Sequence, residues 1–79
     1  MRIIEVRPSK KFKGAWVAFE SPGVEPAFAQ PNGREKAIAY ARGRFGGSEG
    51  EIHVYDEAGQ EVVETITIDD RIKYPSASA

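Results

Sequence analysis

The stretch that decides the fold is residues 32–47, NGREKAIAYARGRFGG. On a helix, one apolar stripe about 100° wide is formed by Ala37, Ile38, Ala41 and Phe45. Asn32 and Glu35 have the spacing of an N-terminal capping box, and the glycines at 46 and 47 can adopt positive φ at the helix end. The pattern predicts one amphipathic helix, which can cover one face of a sheet.

Three segments with strand character precede this helix. Residues 2–7 contain a β-branched run that Pro8 stops, and residues 15–20, AWVAFE, end at the turn signal SPG. Residues 27–30 make a weaker third strand, because the flanking Pro26 and Pro31 disfavour central pairing.

A β-hairpin follows the helix, with strands over residues 51–55 and 60–69 and a glycine-closed type I turn at residues 56–59. If Asp56 lies opposite Gln60, Val54 faces Val62 and His53 faces Val63. The predicted core face carries Ile52, Val54, Val62, Ile66 and Ile68, interrupted by Glu64. The other face carries His53, Tyr55, Val63, Thr65 and Thr67.

The predicted order is β-β-β-α-β-β. Short connections favour antiparallel neighbours, so we expect a two-layer α+β domain, with a mainly antiparallel sheet and one helix on one face. The order of the strands within the sheet stays open. We expect a single domain over residues 1–74 and a disordered tail at residues 75–79, PSASA.

Four segments, VRP, GAWVAF, AIAYAR and EIHVYDEAGQ, occur in this order between residues 4 and 68. They resemble a family of small bacterial proteins known as domain of unknown function 2188. The pattern falls on Pro8, Trp16, Ala37, Ile38, Ala41, Arg42, His53 and Gly59. The resemblance implies the same order of strands and helix, and it implies no activity because the family has none established.

The composition of the 79 residues excludes several classes of protein. The chain has no cysteine, which leaves no disulfide framework, thiolate nucleophile or cysteine-type zinc site. Its net charge of −1 gives no overall field for a polyanion. The apolar runs are too short to span a membrane, so we expect a soluble, cytoplasmic domain without a membrane partner.

Few residues could carry chemistry. His53 is the only histidine, and a catalytic or metal-binding role needs positioned partners that the sequence does not supply. Asp69 and Asp70 are adjacent on a strand end and point in different directions. The glycines at 46 and 47 follow the helix, whereas a phosphate loop precedes one. We therefore expect no enzymatic activity, no metal and no cofactor.

Charge is distributed unevenly along the chain. Residues 1–44 carry nine basic and four acidic side chains, a balance of +5, whereas residues 45–79 carry two basic and eight acidic ones, a balance of −6. One loop holds a basic cluster around Phe12, which could touch phosphates and stack on a base. As one alternative we therefore expect weak nucleic-acid binding through Arg7, Lys10, Lys11, Lys13, Arg34 and Lys36.

The leading hypothesis is a protein-binding module. Residues 15–19 have apolar side chains on both sides of the strand, and one helix cannot cover both. Trp16 is either the central core residue or part of the uncovered face; strand parity does not decide. The candidate interface, for a protein partner or a second copy, consists of Trp16, His53, Tyr55, Val63 and Thr65.

Overall fold

The computed structural model describes residues 2–69, and its elements follow the predicted order. They are β1 (Arg2–Pro8), β2 (Trp16–Phe19), β3 (Ala27–Phe28), α1 (Gly33–Arg44), β4 (Gly50–Tyr55) and β5 (Val62–Ile68). One five-stranded sheet carries α1 on one face, so the two-layer α+β architecture is confirmed. The predicted tail, and the predicted domain end at residue 74, lie outside the described residues.

The strands lie in the order β3-β2-β1-β4-β5. Strands joined by short loops pair antiparallel, as predicted, but β1 and β4 are parallel, with Ile4 beside Ile52 and Val6 beside Val54. A parallel pair needs a long crossover connection, and here β2, β3 and α1 provide it. The helix carries the chain from the β3 side of the sheet to the far side of β1.

The core lies between α1 and the central strands. Its four largest fully buried side chains come from the parallel pair: Ile4, Val6, Ile52 and Val54. The predicted helical stripe is confirmed, since Ala37, Ala41 and Phe45 are buried and Ile38 packs against them. Burying side chains of this size contributes roughly 1.5–3 kcal/mol each.

The helix begins where the sequence predicts, but not by the predicted cap. Asn32 adopts a left-handed conformation, with φ of 63°, and its side chain makes no capping hydrogen bond, so the capping-box prediction is wrong. The Gly33 amide instead points to Oε1 of Gln30 at 3.5 Å. Only glycine fits at position 33, because a Cβ there would overlap the carbonyl oxygen of Phe28.

Ion pairs and a hydrogen bond hold the C-terminal end of the helix against the sheet. Gly46 and Gly47 have positive φ, as predicted. Glu20, after β2, pairs with Arg44 at 2.8 Å and with Arg2 at 3.1 Å, and Arg2 also donates to the Arg44 carbonyl oxygen at 2.7 Å. The hydrogen bond from Arg44 is the main reason that the pKa of Glu20 lies below its usual value.

The hairpin has the predicted turn but a different register. Gly59 adopts φ of 72° and donates to the Asp56 carbonyl oxygen at 3.0 Å. His53 pairs with Thr65 and Val54 with Glu64, two residues beyond the predicted partners. One residue of this displacement comes from the loop, which extends to Glu61 and brings Val62 opposite Tyr55. The second comes from a register shift between Val54 and Tyr55. Val62 therefore lies on the face away from the helix, and its predicted place in the core face is wrong.

Candidate protein-binding surface

Trp16 belongs to the core. It pairs with Phe28 in β3, lies on the helix side of the sheet and is only 7% exposed. Its proposed place in an uncovered interface is therefore wrong. The register between β1 and β2 explains why Trp16 faces the helix. Trp16 and Ala18 share a face with the buried Val6, so the other side of β2 carries Val17 and Phe19.

The sheet face away from α1, called the open face from here on, is polar at its centre. The strand register sets a row of side chains across it: Phe19, Glu5, His53 and Thr65. His53 Nε2 lies 2.8 Å from Glu51 Oε1, and Glu5 accepts hydrogen bonds from Arg7 and, at 3.3 Å, from Tyr55. The expectation of an apolar second face is thus wrong for the His53 strand, β4, and the middle of β1 beside it is polar as well.

Hydrogen bonding and burial stiffen this polar network. Partial burial is the main reason that the pKa of Tyr55 lies above its usual value, and the adjacent Glu5 carboxylate adds to the effect. The Arg7 guanidinium lies 4.5 Å from the centre of the Phe19 ring and covers it. Removing such groups from water is costly unless a partner replaces each bond, so the centre of the open face is a poor docking site.

The arrangement at His53 offers an imidazole beside one carboxylate. Within residues 2–69, no group of three or more His, Cys, Asp or Glu side chains is placed to hold a metal ion. Over the same residues, no helix has the length and apolarity needed to cross a lipid bilayer.

The sequence analysis names Val63 and Thr65 as interface residues but misses that their strand, β5, forms an edge of the sheet. Among residues 2–69, β5 is the last strand of the sheet and has β4 as its one neighbour, and it runs for seven residues, VVETITI. Val62 and Val63 are 42% and 61% exposed, and Thr65 is exposed beside them. α1 packs mainly on β2, β1 and β3, and it meets β5 through an ion pair of Arg34 with Glu64 at 3.0 Å.

Four of the interface residues predicted from the sequence border this edge. His53 and Tyr55 lie on the neighbouring strand, and Thr65 lies on β5 itself. Val63 occupies the extra position at the register shift and is more exposed than Val62. The signal that could have found the edge was available: six β-branched residues in seven, without proline, glycine or lysine.

The residues predicted to contact nucleic acid do not form one surface. Arg34 pairs with Glu64 and Glu35, and Lys36 points to the Ala29 carbonyl oxygen at 3.5 Å, both on the helix side. The sheet separates these two from Arg7, which lies on the open face. Lys10, Lys11 and Lys13 form no ion pair with any residue in the described part of the chain.

Comparisons of the chain with models of protein families, with curated proteins and with solved structures gave no match.

Proposed function

We propose that the protein is a non-enzymatic association module that pairs through β5 with a second copy of itself. The observation that carries the proposal is the seven-residue, β-branched edge strand with exposed Val62 and Val63. We also propose a cytoplasmic location, which suits a chain without cysteine, and membership of the domain of unknown function 2188 family, on the sequence pattern alone.

An edge strand offers a row of backbone N–H and C=O groups that a second strand can satisfy. Natural monomers guard such edges with proline, lysine, very short strands or β-bulges. β5 has no proline or lysine and runs for seven residues, and its register shift lies at Val63, outside residues 64–68. The only charge within β5 is Glu64, whose carboxylate is already held by Arg34. Pairing at this edge therefore desolvates few charged groups.

A second copy fits this edge because β5 can pair with itself in antiparallel register. A two-fold axis at Ile66 would place Ile66 against its copy and Thr65 against Thr67, with Glu64 opposite Ile68. The two Glu64 carboxylates then stay well apart. The result would be a continuous ten-stranded sheet, formed by two sheets of five strands.

Sedimentation equilibrium tests this proposal. Pairing of residues 64–68 covers less than the ~1,200 Å² of a standard stable interface, so we expect a dissociation constant in the micromolar range. Val63→Lys introduces a guarding charge beside the edge and should raise that constant at least about tenfold. Ala39→Lys, on the exposed side of α1, is the matched control with the same charge change and should leave it unchanged. A monomer at every concentration up to about 1 mM would refute self-association.

A further inference from the structure

A recess on the open face lies under the loop between β1 and β2. It encloses about 440 Å³ and is lined by Arg7, Pro8, Ser9, Lys10, Lys11, Phe12, Val17, Glu25 and Ala27. Pockets for small ligands and cofactors begin at roughly 300 Å³. The recess belongs to the β2–β3 side of the sheet, whereas the proposed association uses β5 at the other edge.

The loop that forms the recess is held in place by its own backbone. Ser9 Oγ accepts hydrogen bonds from the amides of Lys11 at 3.1 Å and Phe12 at 2.8 Å. The Ser9 amide donates to the Ala15 carbonyl oxygen at 2.8 Å, and the Ala15 amide donates to that of Phe12 at 3.0 Å. Such a loop presents its side chains without the ordering cost of a flexible segment.

The side chains that this loop presents are an aromatic ring and three cations. Phe12 is 56% exposed, and no ring or cation–π contact among residues 2–69 involves it. Lys10, Lys11 and Lys13 flank the ring, and Arg7 is already paired with Glu5. Glu25 is the acidic side chain in the lining; it disfavours phosphate and can accept hydrogen bonds from the amino groups of bases.

We propose that this recess binds one nucleotide unit of a single-stranded nucleic acid. The base stacks on Phe12 above the apolar floor of Val17 and Ala27. The adjoining phosphates contact Lys10 and Lys11 of the lining and Lys13, which follows Phe12 in the sequence. A duplex hides the faces of its bases from such a ring. An acidic peptide would use the lysines but leave the exposed ring without a matching partner.

Fluorescence anisotropy with a labelled single-stranded 12-nucleotide DNA of mixed sequence tests the proposal. With three phosphate contacts, the affinity should fall roughly 20-fold between about 50 and 200 mM salt. Phe12→Ala should weaken binding roughly 5- to 150-fold through the loss of stacking, and Phe12→Leu should restore only part of it. Lys10→Gln with Lys11→Gln should also weaken binding, whereas Lys36→Gln with Arg42→Gln, the control of equal charge change on α1, should not.

Several outcomes would overturn the assignment. One is the absence of binding at about 20 mM salt, where electrostatic attraction is strongest. Another is an equal loss of affinity in the loop variants and in the α1 variant. Binding as tight to duplex DNA, to a free mononucleotide or to a polyglutamate peptide would also overturn it. Val63→Lys should bind the oligonucleotide as the parent chain does, so failure of self-association and failure of this site can be told apart.

Discussion

The two edges of the sheet are built in opposite ways. β3 has two residues, follows Pro26 and is held to the helix layer by Phe28, whose ring lies 5.6 Å from that of Tyr40. β5 has seven residues without proline, and it packs mainly against β4. Proline has no N–H to offer to a further strand, and a two-residue strand offers few pairing groups. One edge is thus closed to pairing and the other is open.

This difference shows where an association surface can lie on a small two-layer domain. The open face has a polar network at its centre, from Glu5 to His53, that a partner would have to desolvate. The β5 edge has backbone groups and β-branched side chains instead. The open face, which the sequence analysis favours, is therefore a poorer candidate for an association surface than β5, the strand at its edge.

We expect the largest effect on stability at Gly50, the first residue of β4, which is the strand that pairs with β5. A Cβ at this position would overlap the Arg2 carbonyl oxygen and the Phe45 ring. We expect Gly50→Ala to lower the free energy of unfolding by about 3 kcal/mol or more, since backbone and core must both shift. Urea denaturation followed by Trp16 fluorescence measures this loss.

Gly43→Ala is the control for that variant. It lies within α1 with nothing within 4 Å of the added Cβ. It should raise the free energy of unfolding by up to about 1 kcal/mol, because alanine is the better helix former. Equal stability of the two variants would show that the contact at Gly50 does not constrain the fold.

An intermediate effect is expected at Phe28, which anchors the closed edge. The ring is half-buried against the core, so Phe28→Ala should cost about 2 kcal/mol of unfolding free energy, below the ~3–5 kcal/mol of a fully buried phenylalanine. Phe28→Leu should recover most of that loss. If Phe28→Ala is neutral, the link between β3 and α1 does not hold this edge.

The smallest effect is expected at the turn that leads into β5. Asp56 accepts a hydrogen bond from the Gln60 amide at 2.9 Å, and this bond is the main reason that its pKa lies below 3.8. A carboxyl group with a lowered folded-state pKa contributes stability above pH ~3.8 and loses it as the pH falls through the folded pKa. Between about pH 5 and 2.5, Tm should fall less steeply in Asp56→Asn than in the parent chain. Parallel Tm profiles would exclude this contribution.

Much of the fold could be predicted because its signals are local. The stripe of Ala37, Ala41 and Phe45 and the turn closed by Gly59 depend on neighbours in sequence. The parallel pairing of β1 with β4 could not be predicted in this way, since it joins Ile4 to Ile52 through a crossover.

The candidate site was only partly predictable. The loop extends one residue beyond the predicted turn, to Glu61, which moves Val62 to the open face, and no turn residue signals such an extension. Trp16 could not be placed because β2 is apolar on both sides; its orientation depends on its register with β1. The edge position of β5 likewise depends on the strand order, which short-range patterns do not contain.

Amide hydrogen exchange over residues 62–68, followed by NMR at two protein concentrations, examines the pairing itself. In an edge strand, alternate amides point away from the neighbouring strand and exchange readily. Pairing of β5 with a second copy predicts that these outward amides slow markedly between about 20 µM and 1 mM protein, while those of Ala27 and Phe28 do not change. Exchange rates along β5 that are independent of concentration would contradict the account.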